Sequence, residues 1–157
     1  MAPDLLNEIK QTKPFASLEA EAHLNLERTA AVLGHAFAER LKPFGITPTQ
    51  YNVLRILRGA GPEGLCRNDI RGRLVAQVPD VTRLLDRLVS SQLVERERSS
   101  TDRRLVSTRI TSAGLALLGR LDEPVVDMHH ELLGHMSAAQ LRTLVDLLAL
   151  ARERAIR

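Results

Sequence analysis

The sequence predicts a mainly α-helical fold that carries one small β-hairpin, and three observations predict it. Apolar residues recur at helical spacing through both ends of the chain, helix starts carry recognisable caps at Ser17, Thr47, Thr111 and Ser137, and a period of two appears only between Leu93 and Ile110. A length of 157 residues, 44% hydrophobic and 26% charged, fits one domain, 1–157, with a sizeable core, and excludes wholesale disorder. No apolar run approaches the roughly 20 residues of a bilayer helix, and the start MAPDLLNEIKQTK lacks a cationic lead into an apolar stretch. Neither a membrane partner nor a secretory signal is therefore expected. The single cysteine, Cys66, excludes an internal disulfide framework and a Cys-based zinc site, and suits a reducing cytoplasm. Aromatic residues make up only 3%, which argues against the stacking surfaces that hold RNA and single strands.

In chain order, Ser17 caps a first helix whose opening turn holds Glu19 and Glu21, acids suited to the positive end of the helix dipole. Leu26, Ala30, Leu33, Phe37 and Leu41 form its apolar stripe, and Pro43 ends it. Thr47-Pro48-Thr49-Gln50 reads as a capping box with proline at the first helical position. Val53, Leu54 and Leu57 give that second helix a buried face, and Gly59 and Gly61 close it. A short third helix begins near Cys66 and buries Ile70 and Leu74. A tight turn, Val75-Ala76-Gln77, leads to a fourth helix with Pro79 near its first turn. There Val81, Leu84, Leu85 and Leu88 face inward, leaving Asp80, Thr82, Arg83, Asp86 and Arg87 outward, which is a helix-turn-helix arrangement.

Beyond Leu93 the residues alternate: Val94, Arg96 and Arg98 against Glu95 and Glu97, then Val106, Thr108 and Ile110 against Ser107 and Arg109. These are two strands of a hairpin, joined by a polar loop through Asp102 and Arg103, so 47–110 forms a winged helix-turn-helix. Helical period returns after Thr111 with Leu115, Leu118, Leu121, Val125, Met128 and Leu132, and Pro124 marks a kink. Ser137-Ala138-Ala139-Gln140 is a second capping box, opening a last helix that buries Leu141, Leu144, Val145 and Leu148.

The net charge of +3 is concentrated. Between Leu65 and Ile110 stand ten arginines against six acids. A second helix of a helix-turn-helix lies in the major groove of duplex DNA, where Arg83 and Arg87, four apart and on one face, can bond guanine edges bidentately. Thr82 suits a phosphate or a thymine methyl, and Asp80 shares the face. The plainer alternative is a solvated helix surface on which Asp80 and Asp86 pair with the neighbouring arginines. The turn before this helix and the wing after it favour the DNA reading.

Phe44-Gly45-Ile46-Thr47-Pro48-Thr49-Gln50-Tyr51 with Val53-Leu54, then DVTRLLDRLVSSQLVERERSSTDRR and Ile110-Thr111, resemble the MarR family of bacterial transcription regulators over roughly Ser17 to Arg154. The family's wing pattern, Asp-x-Arg followed by Leu-Thr, stands here as Asp102-Arg103-Arg104 and Ile110-Thr111, with isoleucine for leucine. The resemblance implies a sequence-specific, ligand-responsive repressor that binds a palindromic duplex operator as an obligate homodimer. It also implies that 17–42 and 111–155 are dimerisation helices and that Arg104 enters a minor groove while Asp102 orients it. Physically, a narrow minor groove concentrates negative potential and attracts arginine. The plainer role for Asp102 and Arg104 is an ion pair that stiffens the hairpin.

The family's effector is commonly a small aromatic or phenolic anion held between the dimerisation helices and the winged part. His23, Leu26, Tyr51 and Arg55 are the candidates for that pocket, with core packing or solvent exposure as their plainer fate. Cys66 is a candidate redox residue, since a helix start and the adjacent Arg67 favour a thiolate. Its plainer role is a small buried residue replacing a Ser or Thr cap. His130-Glu131-Leu132-Leu133-Gly134-His135 misses the zinc-helix spacing, because the second histidine falls at i+5 rather than i+4. Neither a catalytic constellation nor a cofactor or metal site is expected. The competing class is a winged-helix module that binds protein rather than DNA; a cytoplasmic location suits both readings.

Overall fold

The computed structural model describes residues 4–98 and 106–155. The chain divides into two compact units, Met1–Pro48 and Thr49–Arg157. The first holds a single-turn helix α1 (Leu5–Glu8), the long helix α2 (Leu18–Leu41) and a 3-10 turn (Lys42–Phe44). Ser17 caps α2 by accepting the Ala20 N–H at 3.2 Å, as its position predicts. Pro43 lies in the 3-10 turn, and Gly45, at φ 71°, supplies the left-handed residue that ends it. Along α2 only Leu41 is buried; Leu26 and Ala30 of the expected stripe are exposed.

The second unit begins in helix α3 (Pro48–Ala60), followed by strand β1 (Leu65–Cys66), helices α4 (Arg67–Arg73) and α5 (Val81–Ser90), strands β2 (Val94–Arg98) and β3 (Val106–Ile110), and helices α6 (Ser112–Leu133) and α7 (Ala138–Arg152). The order helix, turn, helix, antiparallel hairpin is the winged helix-turn-helix. Its core is continuous in chemistry: Val53, Leu54 and Leu57 from α3, Ile70 from α4, Val81, Leu85 and Leu88 from α5, Val94 from β2, and Leu117, Leu118, Leu121, Val125 and Met128 from α6. Burying such aliphatic side chains stabilises by about 1.5–3 kcal/mol each before entropy is counted.

The sheet has three strands in the order β1-β3-β2, all antiparallel, where two strands were expected. Strand β1 contributes only two residues, Leu65 opposite Thr108 and Cys66 opposite Ser107, too short to display any alternation. The connection from α4 to α5 is also longer than the expected three residues. Leu74 leaves the helix in an extended conformation, and Asp80 caps α5 by accepting the Arg83 N–H at 2.9 Å, so Pro79 precedes the cap. Asn52 of α3 steadies this connection by accepting the Val75 N–H at 2.9 Å. At the other end of α5, Gln92 takes φ 59°, and the Gln92 and Leu93 N–H groups bond Val89 and Leu88 carbonyls. That double closure turns the chain directly into β2.

Helix α6 starts as expected: Thr111 accepts the Gly114 N–H at 3.1 Å and donates to the Gln92 carbonyl at 2.7 Å. Its buried face, however, runs through Gly114, Leu117, Leu118, Leu121, Val125 and Met128, leaving Leu115 exposed. Leu115 is about 100° around the helix from Gly114, away from the arc the others share. Pro124 lies within an uninterrupted α6. The Ser137–Gln140 capping box forms in full, with both reciprocal hydrogen bonds present. No residue of α7 is buried, and Val145 at 64% and Leu150 at 61% are open, against the expected burial of its stripe.

An ion pair ties α3 to α6: Arg58 Nη1 and Nη2 donate to Asp122 Oδ2 and Oδ1 at 2.9 and 3.0 Å. The hydrogen bonds from Arg58 hold the Asp122 carboxyl below its ordinary pKa, outweighing an opposing desolvation, and the charges of Arg58 and Arg55 add to the lowering. A depressed carboxyl pKa adds stability above the unfolded value of about 3.9, and that stability is lost as pH falls through the lower folded value. Both side chains are partly exposed, so Asp122→Asn is expected to cost only about 0.2–1 kcal/mol at pH 7. Urea melts at stepped pH should show the difference from wild type closing below about pH 4. A difference that persists unchanged at pH 2 would mean the pair contributes through packing alone.

Candidate nucleic-acid interface

Helix α5 divides cleanly. Val81, Leu85 and Leu88 are buried, while Thr82, Arg83, Asp86 and Arg87 are exposed on the opposite side, as the apolar spacing predicts; Leu84, expected inward with them, is only half-buried. Arg83 and Arg87 stand one turn apart, and neither guanidinium has an ion-pair or hydrogen-bond partner among the described residues. The acids do not neutralise them: Asp80 is engaged as the α5 cap, and Asp86 pairs with Arg96 of β2, Oδ1 to Nη1 at 2.7 Å. The expected alternative, local pairing of Asp80 and Asp86 with Arg83 and Arg87, is not what the side chains do.

Thr82 is more occupied than its position on the exposed face suggests. Its hydroxyl accepts from Arg67 Nη1 at 3.2 Å, and its carbonyl accepts from Arg96 Nη2 at 3.4 Å. Arg67 and Arg96 thus join the site. The signal for Arg96 is in the sequence, since it shares strand parity with buried Val94 and so turns its side chain toward α5. Beside these residues lies a cavity of about 420 Å³ lined by Cys66, Arg67, Thr82, Leu85, Arg96 and Thr108. A second concavity, about 730 Å³, follows the turn between α4 and α5 past Asn68, Arg71, Gln77 and Pro79.

The hairpin that bears the wing is held on both flanks. Arg109 of β3 forms an ion pair with Glu97 of β2, Nη1 to Oε2 at 2.7 Å, and Ser107 donates to the Glu63 carbonyl at 2.7 Å. Asp102, Arg103 and Arg104, expected at the wing tip, lie outside the described residues.

Cys66 is half-buried at the junction of β1 and α4. It occupies the cap position of α4 without a side-chain cap bond; its thiol instead donates to Asp69 Oδ2 at 3.0 Å. Of the candidate effector residues, Tyr51 and Arg55 come together on α3. Arg55 Nη1 donates to the Tyr51 hydroxyl at 3.1 Å, with the guanidinium 5.9 Å from the ring centre. His23 and Leu26 lie on α2 of the first unit, both exposed, with His23 Nε2 3.6 Å from Glu27. Helix α6 ends at Leu133, so His130 and His135 are not even on the same helix. Among the described residues no group of three or more His, Cys, Asp or Glu side chains is placed to hold a metal ion. No helix among them is long and apolar enough to cross a membrane.

Residues 46–106 match the model of the MarR family. The multiple antibiotic resistance protein MarR of Salmonella typhimurium is 34% identical over 111 residues, covering 69% of this chain and 74% of that protein. Among solved structures, a MarR transcription factor from Planctomyces limnophilus is 42% identical with a TM-score of 0.67, covering 87% of this chain and 99% of that one. A cysteine-to-serine variant of MarR from E. coli, complexed with operator DNA, has a TM-score of 0.77 at 29% identity, covering 95% of this chain and 99% of that one.

Proposed function

This chain belongs to the MarR family, and from that premise we propose that it represses transcription by sitting, as a homodimer, on a palindromic duplex operator. Members of the family are transcription regulators, not enzymes. The observation that carries the reading is the outer face of α5, where Arg83 and Arg87 are exposed and without partners among the described residues. A guanidinium pair kept free on a helix of this kind suits the guanine edges of a major groove. Asp102, Arg103 and Arg104 would add the wing's contacts, Arg104 in the adjoining minor groove. The apolar side chains that α7 leaves in solvent support the dimer, since a second copy would cover Val145, Leu147 and Leu150. Such a regulator works in the bacterial cytoplasm, where the DNA is.

A small aromatic or phenolic anion fits the same reading as effector, with Arg55 beside Tyr51 as a cation next to an aromatic ring. It would act by favouring a dimer whose recognition helices no longer match successive grooves. Cys66 is not needed for this, and its thiol is already bonded to Asp69.

Selection of bound duplexes from a random library tests the proposal. The expected product is a palindrome with half-sites about 10 base pairs apart, bound by a species of twice the 17.4 kDa chain mass. Affinity should fall steeply with salt, by about 0.9 in log–log slope for each phosphate neutralised. A shallow slope with no enriched sequence would favour the competing protein-binding module.

A further inference from the structure

We propose that Arg96 is a positioning residue for duplex readout: from strand β2 it grips Asp86 and Thr82 of α5 and fixes the rotation of the helix that carries Arg83 and Arg87. The inference rests on the DNA reading above. Arg96 is anchored at its backbone by pairing with Thr108, which is itself buried in the sheet. From there Nη1 reaches Asp86 Oδ1 at 2.7 Å and Nη2 reaches the Thr82 carbonyl at 3.4 Å. Arg67, at the start of α4, holds the Thr82 hydroxyl from another side at 3.2 Å. The gripped residues, 82 and 86, immediately precede the reading residues, 83 and 87, on successive turns.

Two physical needs meet in this clasp. Val81, Leu85 and Leu88 hold α5 through aliphatic contacts, which have little directionality and resist rolling of the helix about its axis only weakly. A roll of about 10° moves a side-chain tip by about 1 Å. That shift takes a hydrogen bond from about 2.9 Å to a length at which it has mostly gone. Directional bonds at both turns oppose the roll. Secondly, Asp86 lies next to Arg87 on the exposed side, where a free carboxylate would repel phosphates and compete for the reading arginines. Arg96 occupies that carboxylate instead. With Asp86 57% and Arg96 30% exposed at the side chain, the pair adds little to folding stability, so its removal acts on binding rather than on the fold.

The test uses the full chain and a labelled duplex that the wild-type protein has itself selected from a random library, beside an equally long duplex of unrelated sequence. Asp86→Ala and Arg96→Ala are each expected to weaken the selected duplex about tenfold, and together to weaken it no more than the worse of the two. Neither alanine variant should lose affinity for the unrelated duplex to the extent it does for the selected one, and Asp86→Glu should retain most of the affinity. Should the alanine variant melt below wild type, Asp86→Asn removes the charge in the same volume and carries the same expectations. Unchanged or tighter binding by the Asp86 variants overturns the proposal, because Arg96 would then contact DNA itself while Asp86 merely held it back. Additive losses, or equal losses on both duplexes, overturn it as well. A wild-type protein that selects no duplex at all refutes the DNA reading, and the positioning role with it, before any variant is made.

Discussion

Replacing Arg83 with alanine is expected to weaken operator binding by about 1–3 kcal/mol per half-site and to relax sequence preference at one base pair of each. Three features of this chain single out Arg83. It is the third residue of α5, and the N-terminal part of a recognition helix is what meets base edges. Its backbone N–H is already satisfied by the Asp80 carboxylate, so the turn that presents it is fixed by the cap rather than by its own side chain. Its guanidinium is then left without a partner among the described residues. Binding of the wild-type and Arg83→Ala proteins to the selected duplex and to its single-base variants decides the assignment. If every duplex loses the same affinity and the salt slope falls by about one, Arg83 contacts a phosphate and the sequence is read elsewhere on α5.

The exposure of Arg83 was legible because its determinant is local: a helical period fixes which residues of α5 face out. The start of α5 was not, since Asp80, placed by its spacing on the outer face, serves as the cap and leaves Pro79 outside the helix. The caps at Ser17, Thr111 and Ser137 were legible, each needing only a side chain and the turn that follows it. What the sequence did not disclose is tertiary. Strand β1 is two residues long and exists because β3 offers it an edge, so no periodicity announces it. The phase of α6 is set by Gly114, where a Cβ would stand 2.4 Å from the Leu93 carbonyl, and this close approach turns Leu115 outward. Leu141, Leu144, Val145 and Leu148 have the spacing of a buried face, but spacing says nothing of whether the covering surface belongs to the same chain. The partner of Asp86 was missed for a different reason: Arg83 and Arg87 are nearer in sequence, and the strand parity that Arg96, ten residues on, shares with Val94 becomes a signal only once β2 is known to pack beside α5.

Gly64→Ala is expected to be among the most destabilising single changes in the winged part, although it adds one methyl group. Gly64 holds φ at 68°, a conformation that costs an L-residue about 1–3 kcal/mol. The new Cβ would also stand 2.4 Å from the Thr108 carbonyl and 2.6 Å from Ser107 Oγ. The nearest of these is backbone in the central strand of the sheet, which cannot move aside as a side-chain end would, and overpacking of this kind costs about 1–3 kcal/mol more. Stability should therefore fall by at least about 2 kcal/mol, lowering a urea midpoint by about 1 M with the slope unchanged. Gly72→Ala is the control, because nothing lies within 4 Å of its Cβ and it sits inside α4, where alanine should stabilise by about 0.4–1 kcal/mol. Should Gly64→Ala melt with wild type, β1 would not be held against β3 as closely as described. Should it melt early, the loss has a functional meaning. Pairing of β1 with β3 is what sets Cys66 and Arg67 at the start of α4, and Arg67 is one of the two cations that hold Thr82. The variant's residual folded fraction should then read duplex DNA less selectively than wild type, a second measurement that separates displacement of β1 from unfolding alone.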